Sequence, residues 1–184
     1  MNSLKSILRT CTWMMLVGFS ALATVACVAP DRGNTTSNAF GSIHLNNDKG
    51  EEKCTLPIPE TNKRFHLQNP TEYCENNMVS TFWLENVPSA TLIQFFANES
   101  CSNVIEPSNF FFLLKTVKQP TDWTPHSTVT QSIDALRHLR PGELIAGKHL
   151  RVDPDGAFVG SDLTNKNLNE RLSCIYIERS QPAN

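Results

Sequence analysis

Six cysteines and five histidines are the side chains of this 184-residue chain best suited to chemistry. Their spacing argues against most of it. None of His44, His66, His126, His138 and His149 stands in an H-E-x-x-H pattern, and no two lie four residues apart. A helical zinc-hydrolase site is therefore not written here. There is no G-x-S-x-G nucleophile elbow and no glycine-rich phosphate loop. The cysteines lack any C-x-x-C, which removes the usual zinc knuckle and the thioredoxin-like redox pair. What remains for cysteine is oxidation or modification, and which of these occurs depends on the compartment.

The first residues point to that compartment. Lys5 and Arg9 precede an uncharged stretch from Thr10 to Val28 rich in Trp, Met, Leu, Val and Phe. A basic start, an apolar run and then small residues make a secretory signal over 1–26. The run ends Ala23-Thr24-Val25-Ala26-Cys27. Small residues directly before a cysteine resemble a bacterial lipobox, with Thr24 in the place usually taken by Leu. Cys27 is then the lipidated first residue of the mature chain, which anchors it to a membrane. Plain cleavage near Ala26 and an uncleaved anchor stay open, because the run approaches the length that spans a bilayer. Cys11 leaves with the signal. Cys54, Cys74, Cys101 and Cys174 remain, an even set that forms two disulfides in an oxidising compartment. Three pairings are possible, and the sequence does not choose among them.

Removing the signal takes Lys5 and Arg9 and no acid, so the net charge moves from -2 to -4. Such a chain lacks the basic footprint of a nucleic-acid partner. Charged residues are 18%, below the usual quarter of a soluble domain. With abundant Asn, Thr and Ser, this reads as a secreted, turn-rich protein.

The elements that must position any site are mostly strands. Residues 27–40 carry no apolar periodicity and read as a flexible tether. From 41 to 180 the chain reads as one domain. Ile43 and Leu45 alternate before the turn at Asn46 to Gly50, and Phe65 and Leu67 alternate next. Two runs around Val79–Glu85 and Thr91–Phe96 follow, then the apolar run Phe110–Leu114. That last run lacks alternation, so both its faces are expected to be covered. The segment 116–142 contains Gln119-Pro120 and Thr124-Pro125 and reads as an insertion, with a short helix at 132–140. Trp123 lies in it, either plugging the edge of the sheets or contacting a partner. Strands return at 144–146 and 149–152. A tight turn over Asp153-Pro154-Asp155-Gly156 then leads into Ala157–Val159, and a last strand spans 172–177.

One stretch occurs twice. Asn76-Asn77-Met78-Val79-Ser80-Thr81 and Asn169-Glu170-Arg171-Leu172-Ser173-Cys174 each place a polar pair, two spacers and a Ser before a strand. This resembles the βγ-crystallin superfamily, whose calcium signature is Asn/Asp-Asn/Asp-x-x-Ser/Thr-Ser. Residues 40–115 carry the resemblance best and 144–179 more loosely. It implies an all-β Greek-key β-sandwich with an inserted loop or short helix. It also implies Ca²⁺ held by Asn76 and Ser80 with the Asn77 carbonyl, and by Asn169 and Ser173. So few charged ligands imply a weak site, toward about 10⁻⁴–10⁻³ M. Glu170 and Cys174 depart from the pattern in the second copy.

The expected function is a non-catalytic, inhibitor-like binding module of the bacterial cell envelope, most simply an outer-membrane lipoprotein, or else secreted or periplasmic. Its partner is an envelope or extracellular protein. A structural envelope lipoprotein and a small secreted hydrolase of envelope polymers are the alternatives. The glycosylation-like triplets Asn34-Thr35-Thr36 and Asn98-Glu99-Ser100 leave the host kingdom open.

Overall fold

The computed structural model describes residues 40–68, 74–123 and 129–179. The signal segment, Cys27 and the tether before Phe40 lie outside the described residues, as does His126. Ten strands follow in order: β1 Ser42–Asn46, β2 Glu52–Pro57, β3 Lys63–His66, β4 Thr81–Glu85, β5 Thr91–Phe96, β6 Phe110–Thr116, β7 Gln131–Ser132, β8 Leu144–Ile145, β9 Leu150–Val159 and β10 Cys174–Arg179. All pairings are antiparallel. The smaller sheet runs β2-β1-β4-β7 and the larger β3-β10-β5-β6-β9-β8. Among the described residues no helix is long and apolar enough to cross a membrane.

Period-two alternation decides which side chains meet. Ile43 and Leu45 on β1, Phe82 and Leu84 on β4, Ile93 and Phe95 on β5, and Ile175 and Ile177 on β10 belong to one buried cluster fed by both sheets. Phe82 lies near its middle, with ring centroids 4.8 Å from Phe95 and 5.5 Å from Trp123. Deleting such a ring costs about 3–5 kcal/mol. β6 is covered on both faces, as its lack of alternation implies. Phe110, Phe112 and Leu114 enter the main core, while Phe111 and Leu113 join Phe96, Cys101 and Cys174 in a second cluster on the other face.

The sheets share an order. Matching β1, β2, β3 and β4 with β5, β6, β7 and β10 turns β2-β1-β4-β7 into β6-β5-β10-β3. Each group therefore sends its third strand into the other group's sheet. Local bonds repeat as well. Ser80 N donates to Asn46 O and Ile133 N to Ser80 O, while Ser173 N donates to Phe96 O and Leu67 N to Ser173 O. Asn77 and Glu170, at the second position of each echoed stretch, both adopt positive φ, 57° and 61°. Asn tolerates that region better than Glu, because a short polar side chain bonds locally.

Three expectations change. The segment 116–142 is not wholly an insertion, since β7 within it closes the smaller sheet against β4. Its helix is shorter than 132–140, a 3-10 turn over Asp134–His138. Residues 153–156 do not reverse the chain. β9 continues through them, with Ala157 opposite Phe112 and Val152 opposite Leu114, so four residues bulge out beside Leu113. Pro, Asp and Gly suit a bulge as well as a turn, because both need a break in the ladder. β2 carries no expected strand signal, since Glu52, Lys53 and Thr55 leave only Leu56 fully buried.

Candidate functional site: converging polar loops at one end of the sheets

The two echoed stretches sit side by side. Glu170 N donates to Val79 O at 2.8 Å, and Asn77 and Asn169 line one open depression of about 560 Å³. Its charged lining is Lys166, Arg171 and Glu170, two cations against one carboxylate, which disfavours a divalent ion there. Beside it lies a smaller depression of about 260 Å³, lined by Asn76, Asn77, Glu99, Ser108, Arg171 and Ser173 among others. This one is better supplied with oxygen. Asn76 Oδ1 is buried with no hydrogen-bond partner, the kind of acceptor a hard cation satisfies. Arg171 opposes that use by its charge.

The ligand sets expected from sequence regroup. Asn76 and Asn77 line a depression together with Ser173, from the other copy. Ser80 is 1% exposed, its Oγ has no hydrogen-bond partner, and its backbone is bonded to Asn46 and Ile133. Asn169 Oδ1 accepts from Ser132 Oγ at 3.1 Å and Asp134 N at 3.0 Å, so it organises the entry to the 3-10 turn. The regrouping follows from the exchanged third strands, which bring each loop against the opposite half.

All four expected half-cystines are oxidised. Cys54 pairs with Cys74 and Cys101 with Cys174, with Cα atoms 5.5 and 5.4 Å apart. Trp123 is 1% exposed and lies in the main core beside Phe82. Its N donates to Leu84 O, and its Nε1 donates to Lys148 O at 2.7 Å. The Lys148 Nζ lies 4.4 Å above the Trp123 ring and donates to Thr130 O. Burial holds that ammonium below its ordinary pKa.

Two clusters escaped the sequence. His66, Cys101 and Cys174 bring a ring nitrogen and two sulfurs within 4.8 Å of one another. The sulfurs are bonded to each other and offer no thiolate, while His66 Nδ1 lies 2.8 Å from Glu99 O. The second cluster crosses the outer face of the smaller sheet. His44 Nε2 lies 3.0 Å from Ser42 Oγ and 3.2 Å from Glu85 Oε2, and Nδ1 lies 3.1 Å from Glu52 Oε2. The imidazole stacks on Trp83 with centroids 3.5 Å apart. Ser, His and Glu in that chain of contacts resemble a nucleophilic triad. Ser42 is only 1% exposed, and its hydroxyl donates to Glu85. Its partners close it in, and the array forms a cross-brace of contacts linking β1, β2 and β4. Ser42 and His44 lie two apart on β1, a spacing that puts both on one face of the strand. The carboxylates arrive through strand register.

No known protein family, curated protein or solved structure matches this chain.

Proposed function

We propose that this is a non-catalytic binding module of the βγ-crystallin type, which recognises an envelope or extracellular protein through the loops at one end of its two sheets. The observation that carries the reading is the convergence of three loops there, 74–80, 97–109 and 161–173. Residues from all three line the smaller depression. Loops on a rigid sheet body are the usual carriers of recognition. The Greek-key assignment draws support from the matching strand orders of the two halves and from echoed stretches placed just before β4 and β10.

Calcium enters the proposal as a weak stabiliser at the smaller depression, bound by Asn76, Asn77 and Ser173 and assisted by Glu99. The lipid anchor on Cys27 and the bacterial envelope location rest on the signal-like first residues. Two disulfides in a small domain suit the oxidising side of a membrane. The test is an amide NMR titration of the mature domain with CaCl₂. Shifts confined to residues 76–80, 97–99 and 169–173, saturating at about millimolar ion, are the expected result. Shifts scattered over surface carboxylates, or none, overturn the calcium assignment. Release of soluble fragments from purified envelope polymers would overturn the non-catalytic reading.

A further inference from the structure

The two matched hairpins differ at one place. β1 and β2 are joined by residues 47–51, whereas their counterparts β5 and β6 are joined by residues 97–109. The longer connection carries an apolar tip, with Val104 47% and Ile105 74% exposed, the latter the highest value for a large apolar residue among the described residues. Connections of this length without secondary structure are uncommon in compact domains and are usually functional.

This arm is fixed from inside. Asn98 Nδ2 donates to Ser102 O at 2.7 Å and to Asn109 Oδ1 at 3.1 Å, and Ser102 N donates to Asn98 Oδ1 at 2.9 Å. Asn109, 5% exposed, donates from Nδ2 to Val104 O at 2.6 Å. Cys101 ties the near leg to β10 through Cys174. The far leg is held by Asn109 N on Glu106 O and by Asp162 N on Pro107 O. Gly160 permits that approach, since a Cβ there would come 2.2 Å from Pro107 O. Residues 101–106 have no regular secondary structure, and branched aliphatic side chains stand at their apex.

We propose that residues 102–106 enter the cleft of an endopeptidase whose specificity pocket takes a branched aliphatic side chain, and block it. The inference rests on the binding-module reading and names its partner class. A cleft of this kind binds one extended segment by its backbone and one pocketed side chain. Fixing the segment beforehand removes the ordering cost of binding. The same anchors hold both sides of the tip. A cut at Val104–Ile105 or Ile105–Glu106 leaves the near side on the disulfide and the Asn98 bonds, and the far side on Asn109 N and Asp162. The cleaved ends then stay in the cleft.

The test measures inhibition of two probes, an elastase-like serine endopeptidase and a thermolysin-like zinc endopeptidase, by the intact disulfide-bonded domain. Stoichiometric inhibition of one probe is expected, and which one responds assigns the catalytic class. Ile105→Asp should weaken it by at least about 30-fold, the scale of one lost anchor residue, with Tm unchanged. Opening the bridge by Cys101→Ala with Cys174→Ala should convert the arm into a substrate cut between 101 and 106. Lack of inhibition of both probes overturns the proposal, as do equal inhibition by Ile105→Asp and rapid turnover of the wild-type arm. The calcium titration reads the neighbouring loops, so a negative result here with a positive titration removes the endopeptidase and leaves the binding module standing.

Discussion

Replacing Cys101 and Cys174 together with Ala should destabilise the domain more than replacing Cys54 and Cys74. The bridges close loops of 73 and 20 residues. The chain-entropy relation gives about 4.4 and about 3.3 kcal/mol for loops of those lengths. Cys174 is fully buried among Phe96, Phe111 and Leu113, so loss of its sulfur adds a small cavity penalty of up to about 1 kcal/mol. For a domain of this size the total corresponds to a fall in Tm of roughly 9–20 °C. The assay is urea unfolding without reductant, followed by tryptophan fluorescence and by hydrogen exchange at residues 97–109. Exchange there should rise in the Cys101/Cys174 variant and hold in the other. A loss below about 2 kcal/mol, or a larger loss from the Cys54/Cys74 pair, would refute the view that the longer bridge holds both the arm and the closing strand.

Three further outcomes are expected. His44→Ala removes a ring stacked on Trp83 and its contacts to Glu52 and Glu85, and should cost about 1–2 kcal/mol with a red shift in tryptophan emission; an unchanged urea midpoint would refute the cross-brace. Ser80→Ala removes a buried hydroxyl without a partner and should leave calcium-free stability equal or higher by up to about 1 kcal/mol; a clear loss would show that the hydroxyl is satisfied in solution. Burial lowers the Lys148 pKa in the folded chain. Between that lowered value and the ordinary 10.5, the unfolded chain holds more protons than the folded one, so stability from this group rises with pH across the window. Lys148→Met should flatten the rise measured by urea midpoints as pH approaches 10.5 from below, and an equal slope in the variant would refute it.

Residue pattern alone placed the strong strands. Alternation around Ile43, Phe82 and Ile93 is a local signal, and the packing of two sheets follows from it. Pattern failed where local chemistry is ambiguous or sparse. β2 exposes most of its side chains, β7 has two residues, and Asp153–Gly156 carries the letters of a turn while forming a bulge. The echoed Asn-x-x-x-Ser stretches were legible as a pair, yet their grouping was not. Asn76 meets Ser173 because third strands cross between sheets, a fact of topology that no single stretch encodes. Disulfide partners and the carboxylates around His44 were hidden for the same reason. The 97–109 arm was readable only as a gap between two strands, because its stiffness comes from Asn98 and Asn109 reaching across it.

The place of β10 makes parts of the fold that are far apart in sequence depend on one segment. It lies between β3 and β5 in the larger sheet, although it is the last strand among the described residues. During synthesis, β3 has no neighbour in its sheet until residues 174–179 emerge, and Cys101 waits as long for its partner. The half that appears first also lacks β7, which completes its sheet from later in the sequence. The β3 edge of the larger sheet and the Cys101–Cys174 bridge therefore both depend on the one segment 174–179.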